Sequence, residues 1–124
     1  MRRTAIVLGL CTALSGCATA GHGFMRPRPV PAGADAHSPC ASLKTVSTIQ
    51  PVYPRDAMPV KQDGWVLLQY DVAASGVPHN INIIDSSPPG VFEQSSVNAI
   101  VQWRYARRSF PVADCVHLDT YSMQ

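Results

Sequence analysis

From Gly64 the chain alternates apolar and polar positions with a period of two. GWVLLQYDV (64–72) puts Val66, Leu68, Tyr70 and Val72 on one side. Trp65 and Leu67 lie on the other, with Gln69 and Asp71 continuing that side. This pattern predicts a β-strand, and because its first half is apolar on both faces, a central one. Ala73–Gly76 supplies a turn. Val77–Asp85 reads as a second strand, with Val77, Ile81 and Ile83 opposed to Asn80 and Asn82. Pro78 cannot donate to a ladder, which places this strand at an edge. Ser86–Gly90 (SSPPG) stops it. The period then changes. Phe92, Ser96, Ala99, Ile100 and Trp103 form one helical stripe over 91–106. Glu93 at its start and Arg104, Arg107 and Arg108 at its end suit the helix dipole, and Pro111 closes it. Val112–Tyr121 alternates again, Val116, Leu118 and Thr120 against Cys115, His117, Asp119 and Tyr121. Upstream, Tyr53-Pro54 predicts a short helix that Pro59 ends or distorts within a turn.

The order helix, strand, strand, helix, strand defines an α+β class. After a hairpin, a helical crossover returns the last strand beside the first, antiparallel to it. The expected architecture is a small three-stranded antiparallel sheet of order 2-1-3 with two helices on one face. Trp65 and Leu67, on the opposite face, then need cover from residues 40–52 or from a partner.

The amino terminus carries a different signal. Arg2 and Arg3 precede an apolar stretch, Thr4–Ala13, about half the ~20 residues needed to span a bilayer. Leu14-Ser15-Gly16-Cys17 follows and resembles the lipobox of bacterial lipoproteins. The resemblance implies a signal peptide over 1–16, cleavage before Cys17, and lipid attachment to that thiol. Acyl chains contribute about 0.8 kcal/mol per buried CH₂, enough for several of them to hold the chain on a membrane. Ala18 and Thr19 lack the Asp that resembles an inner-membrane retention signal, so the expected address is the periplasmic face of a Gram-negative outer membrane. Residues 18–39 contain four prolines, three glycines and five alanines, a composition for a tether rather than a core. The expected division is therefore signal 1–16, anchor and Pro/Gly/Ala-rich tether 17–39, and a domain over 40–124.

This division changes the charge and cysteine counts. The whole chain has ten Lys and Arg against eight Asp and Glu; without Arg2 and Arg3 the balance is eight to eight. A neutral chain with no basic stripe excludes nucleic acid as the expected partner. Cys11 leaves with the signal and Cys17 is lipidated, so Cys40 and Cys115 remain. In an oxidising compartment they predict a disulfide. The competing idea, a metal site completed by His79 or His117, has no supporting ligand spacing.

Tyr53-Pro54, Ala57, Gly64-x-Val66, Gly76, Ser86-Ser87-Pro88-Pro89-Gly90-x-Phe92 and Trp103-x-Tyr105 together resemble the carboxyl-terminal domain of TonB proteins. The match spans about residues 50 to 121 in order and spacing. It implies a periplasmic α+β domain that binds a partner along an exposed sheet edge, typically the TonB box of an outer-membrane transporter. Here that edge would be the last strand, with Val116, His117, Leu118, Asp119 and Tyr121 as the contact residues. The pattern departs from energy-transducing members in four ways. A signal and lipid site replace an anchoring transmembrane helix, the linker is short, Pro59 interrupts the first helix, and Ala106 stands where a proline often follows Trp-x-Tyr.

No catalytic, metal-ligating or cofactor-binding set emerges. His22 and His37 lie in the tether, and no motif pairs His79 or His117 with a nucleophile. The expected function is a lipid-anchored, non-enzymatic binding module for an envelope protein, without the energy-transducing helix. The alternatives are a structural lipoprotein of an envelope or secretion complex and an atypical TonB-type transport protein.

Overall fold

The computed structural model describes residues 25–123. The expected signal peptide and the lipidation site Cys17 lie outside the described residues. In chain order the elements are β1 (Thr45–Ser47), a 3₁₀ turn at Arg55–Ala57, β2 (Gly64–Val72), β3 (Pro78–Ser87), α1 (Glu93–Ile100), β4 (Arg104–Tyr105) and β5 (Val112–Tyr121).

The alternation in β2 does what it predicts. Val66, Leu68, Tyr70 and Val72 are at most 2% exposed and face the core with Phe92, Ile100 and Cys115. β2 pairs antiparallel with both β3 and β5, so the main sheet has the order β3-β2-β5, the expected arrangement with the most apolar strand in the middle. Each edge strand is irregular at the same end. Asn80 on β3 and Asp114 on β5 adopt left-handed φ values of 52° and 60°. The Asp71 carboxylate accepts from the Asn80 amide at 3.0 Å and from the Asp114 N–H at 3.0 Å. One side chain of the central strand thus ties down both irregular edges.

Two expectations are corrected. The architecture is not one sheet with two helices on one face. A second, two-stranded ladder joins β1 to β4, and there is one α-helix among the described residues. The Tyr53-Pro54 segment yields only three 3₁₀ residues, because Pro59 has no N–H with which to continue a helix. The main helix ends at Ile100 rather than running to Ala106. Long-range partners outcompete its continuation: the Tyr105 N–H donates to Gly76 O, and the Ala106 N–H to Lys44 O, both at 2.9 Å. Trp103 still reaches the core because a tight turn, Trp103 N–H to Ile100 O at 3.0 Å, carries it back over the sheet.

α1 begins without a capping side chain at Phe92. Glu93 compensates by accepting from the Gly90 N–H at 2.7 Å and from Ser86 Oγ at 2.6 Å. Burial pushes the Glu93 pKa up, but hydrogen bonds from Ser86 and from main-chain N–H groups outweigh it, and the carboxyl ends below its ordinary value. The stability this carboxylate contributes is therefore present above the unfolded-state value and is lost as pH falls through the lower folded-state value. Glu93→Gln is expected to flatten the acid limb of the urea-unfolding midpoint measured from about pH 6 to about pH 3. An unchanged acid limb would mean that Asp71 and Asp85, also shifted down by their hydrogen bonds, carry all of it.

Trp65 is 2% exposed on the sheet face opposite α1, so the expected strand facing is observed. Its cover differs from the expected 40–52 segment. The indole N–H donates to Arg28 O at 2.9 Å, and the Arg28 guanidinium lies 5.2 Å from the ring centroid. Arg28 also pairs with Asp85 and donates to Ser86 O, while its N–H donates to Ser87 Oγ. Residues 25–30, within the proline-rich stretch, are thus laid across the sheet by an indole and a salt bridge. The exposed ion pair alone would contribute little. The buried indole N–H is what the contact satisfies.

Candidate functional site

β5 is hydrogen-bonded to β2 along one side, and its other side is an edge of the sheet. Which main-chain groups face outward follows from Val116, whose N–H donates to Ser38 Oγ at 2.9 Å rather than into the ladder. In an antiparallel pair the outward groups recur at every second residue, so Leu118 and Thr120 also present their N–H and C=O to the open edge. The amino-terminal part of the edge is held by its own chain. Cys40 and Cys115 are bridged, with Cα atoms 5.2 Å apart, and the bridge brings Ser38 onto Val116. The first outward main-chain groups left for a partner are therefore those of Leu118.

The residues expected at the site fall on two faces of this strand. Cys115, His117, Asp119 and Tyr121 pair with Tyr70, Leu68, Val66 and Gly64 and point to the α1 side. Tyr121 is buried, stacks on Phe92 at 4.3 Å, and shares a 2.6 Å hydrogen bond with Ser96. Burial, partly offset by the Ser96 hydrogen bond, pushes its pKa up to about 12. A partner cannot touch that side chain, so Tyr121 serves the core. Val116 and Leu118 lie half-buried on the opposite face, across from Gln69 and Leu67.

His117 and Asp119 form the chemically distinctive part. His117 Nε2 and Asp119 Oδ1 are 2.9 Å apart, and the imidazole sits edge-on to Trp103 at 4.7 Å. The Trp103 indole N–H in turn donates to Ile49 O at 2.9 Å, which fixes the 48–51 segment beside the strand. A groove of about 240 Å³ results, with Thr48, Gln50 and Pro51 as one wall and His117–Thr120 as the other. The Asp119 side chain is only 6% exposed. Its Oδ2 has no hydrogen-bond partner among the described residues.

Sequence reasoning missed three parts of this site. Thr120 was the outward, exposed member of the strand, and its place in the alternation could have identified it. Ser38 and the Thr48–Pro51 wall carry no periodic signal and owe their positions to the disulfide and to Trp103. Among the described residues, no group of three or more His, Cys, Asp or Glu side chains could hold a metal ion. Also among them, no helix is long and apolar enough to cross a membrane.

Residues 49–111 match the family model described as Gram-negative bacterial TonB protein C-terminal. Protein TonB of Salmonella typhimurium is 35% identical over 83 residues, which is 63% of this chain and 34% of that protein. Protein TonB of Escherichia coli is 34% identical over 62 residues, covering 50% of this chain and 26% of its own length. The chain thus spans about a third or less of these curated relatives. Among solved structures, the Pseudomonas aeruginosa TonB CTD superposes with a TM-score of 0.54 at 21% identity, covering 68% of this chain and 87% of the other. The TonB2 protein of Vibrio anguillarum gives 0.54 at 21%, covering 65% and 81%. These likenesses show the fold. The family match stops at Pro111, one residue before β5.

Proposed function

Because the chain belongs to the family of Gram-negative bacterial TonB protein C-terminal domains, we propose that it is a periplasmic protein-binding module that takes an extended partner segment along β5. The observation that carries this reading is the half-used strand itself. β5 is bonded to β2 on one side, while Leu118 and Thr120 present main-chain groups on the other. Added strands gain affinity from such main-chain bonds and selectivity from alternate side chains. The partner is an envelope protein, an outer-membrane transporter or a secretion component. The domain binds without catalysing a reaction.

The lipobox Leu14–Cys17 supports a lipid anchor in the outer membrane, with 17–39 as anchor and tether and 40–124 as the binding domain. On this reading the protein grips a partner without transducing energy through a membrane helix. Labelling with an alkyne fatty acid is expected to mark the chain and to fail for Cys17→Ala. Labelling that persists in the variant would remove the anchor from the proposal.

Edge pairing has its own test. With a photoreactive side chain at Leu118 of the full chain in a Gram-negative cell, adducts to an envelope protein are expected. Thr120→Pro removes an outward N–H and should lower their yield about tenfold, because proline is tolerated only where the N–H faces away from the ladder. The unfolding temperature should change little. Adducts indifferent to Thr120→Pro, or none at all, would overturn pairing at this edge.

A further inference from the structure

Asp119 Oδ2 is a buried side-chain oxygen with no hydrogen-bond partner among the described residues. A buried carboxyl group normally has both oxygens hydrogen-bonded, because an unpaired one forfeits its hydration without compensation. Here Oδ1 has His117 Nε2 at 2.9 Å, and Oδ2 has no partner among the described residues. Among the described residues, no lysine or arginine lines the groove in which Asp119 sits. The groove also lies where an added strand would run. Asp119 points to the α1 side of the sheet, so a residue paired across from it would place its own side chain on that side, between β5 and the Thr48–Pro51 wall. Cross-strand neighbours have Cβ atoms about 5 Å apart, so a long side chain reaches the carboxyl group easily.

Resting on the proposed edge pairing, we infer that this groove is a specificity pocket: it selects partner strands that deliver a lysine or arginine side chain to Asp119. The apolar stem lies along Pro51 and Trp103, and the cationic head donates to Oδ2, completing its hydrogen bonds and balancing its charge. His117 is a positioning residue. Pinned against Trp103, it occupies Oδ1 and leaves Oδ2 as the acceptor for the incoming donor. Main-chain pairing alone would accept any extended segment; the Asp119 pocket makes the edge discriminate by one residue.

The test uses the full chain in detergent and a random octapeptide library blocked at both ends, so that terminal charges cannot mimic the effect. Selected peptides are expected to carry Lys or Arg enriched at a single position. Replacing that residue with norleucine should weaken binding about tenfold, the scale of one charge-assisted hydrogen bond. With Asp119→Asn the enrichment should vanish while amide exchange along β5 stays native. The norleucine comparison on the unaltered chain decides the matter if the variant fails to fold. Peptides that pair with β5 but show no basic preference would overturn the pocket and leave edge pairing standing. Failure to select any β5-binding peptide would overturn both.

Discussion

Gly76→Ala is expected to cost on the order of 3 kcal/mol or more, enough to unfold much of a domain of ordinary stability. Gly76 sits at φ +90°, and a Cβ there would lie 1.9 Å from Tyr105 O. That carbonyl cannot retreat cheaply. The Tyr105 N–H donates to Gly76 O at 2.9 Å, and the Tyr105 hydroxyl meets that of Tyr70 at 2.6 Å in the core. The substitution therefore drives β4 away from the β2–β3 turn and strains two buried contacts together. Gly90→Ala is the control: its φ is +81°, but nothing lies within 4 Å of its added Cβ. It should cost only the left-handed penalty, about 1–2 kcal/mol. Urea-unfolding midpoints of the two variants, compared with the parent, read the difference. Equal losses would show that backbone strain, and not the close approach of β4, makes Gly76 necessary.

The second large effect is loss of the Cys40–Cys115 bridge. It joins residues 75 apart in sequence. A loop of that length is worth about 4 kcal/mol in the chain-entropy model. Cys40→Ser with Cys115→Ser, or reduction of the parent by excess dithiothreitol, should lower the unfolding free energy by about that amount. The bridge also has a local consequence that a purely entropic account lacks. It holds Ser38 against the Val116 N–H, so in the bridgeless protein amide exchange at Val116 should accelerate more than at Leu68, deep in the central strand. Equal acceleration at both amides would mean that the bridge acts on global stability alone, and that Ser38 is no real limit to the binding edge.

The family resemblance was readable because it rests on backbone punctuation and large side chains. Gly64, Gly76, the SSPPG run and Trp103-x-Tyr105 each occupy a position where the fold leaves little choice. The candidate edge was readable as a strand because Val112–Tyr121 alternates. Its composition could not tell which of its residues a partner would meet. Tyr121 was among the expected contacts and is instead locked to Ser96 and Phe92 in the core. Thr120, the exposed residue beside it, was not. In an edge strand the core face and the binding edge are perpendicular, and hydrophobic periodicity reports only the first.

What the sequence by itself determined is local and periodic. The two-residue alternation of Gly64–Val72 set the facing and central place of β2. The hairpin followed by a helical stripe set the order of the main sheet. The expected loss of Cys11 and lipidation of Cys17 pointed to Cys40 and Cys115 as the pair, and those two are bridged in the structure. Tertiary structure decided whatever depended on competition between distant partners. Arg104–Tyr105 became a strand because Gly76 O and the Tyr70 hydroxyl bind Tyr105, and Lys44 O binds the next N–H at Ala106, better than another helical turn would. Residues 25–30 settled on the sheet because the Trp65 indole N–H needs an acceptor once its ring is buried. The groove beside Asp119 exists because the Trp103 indole N–H, donating to Ile49 O, holds the 48–51 segment against β5. Each outcome turns on one polar group finding, or failing to find, a partner far away in the chain, and no local pattern encodes that.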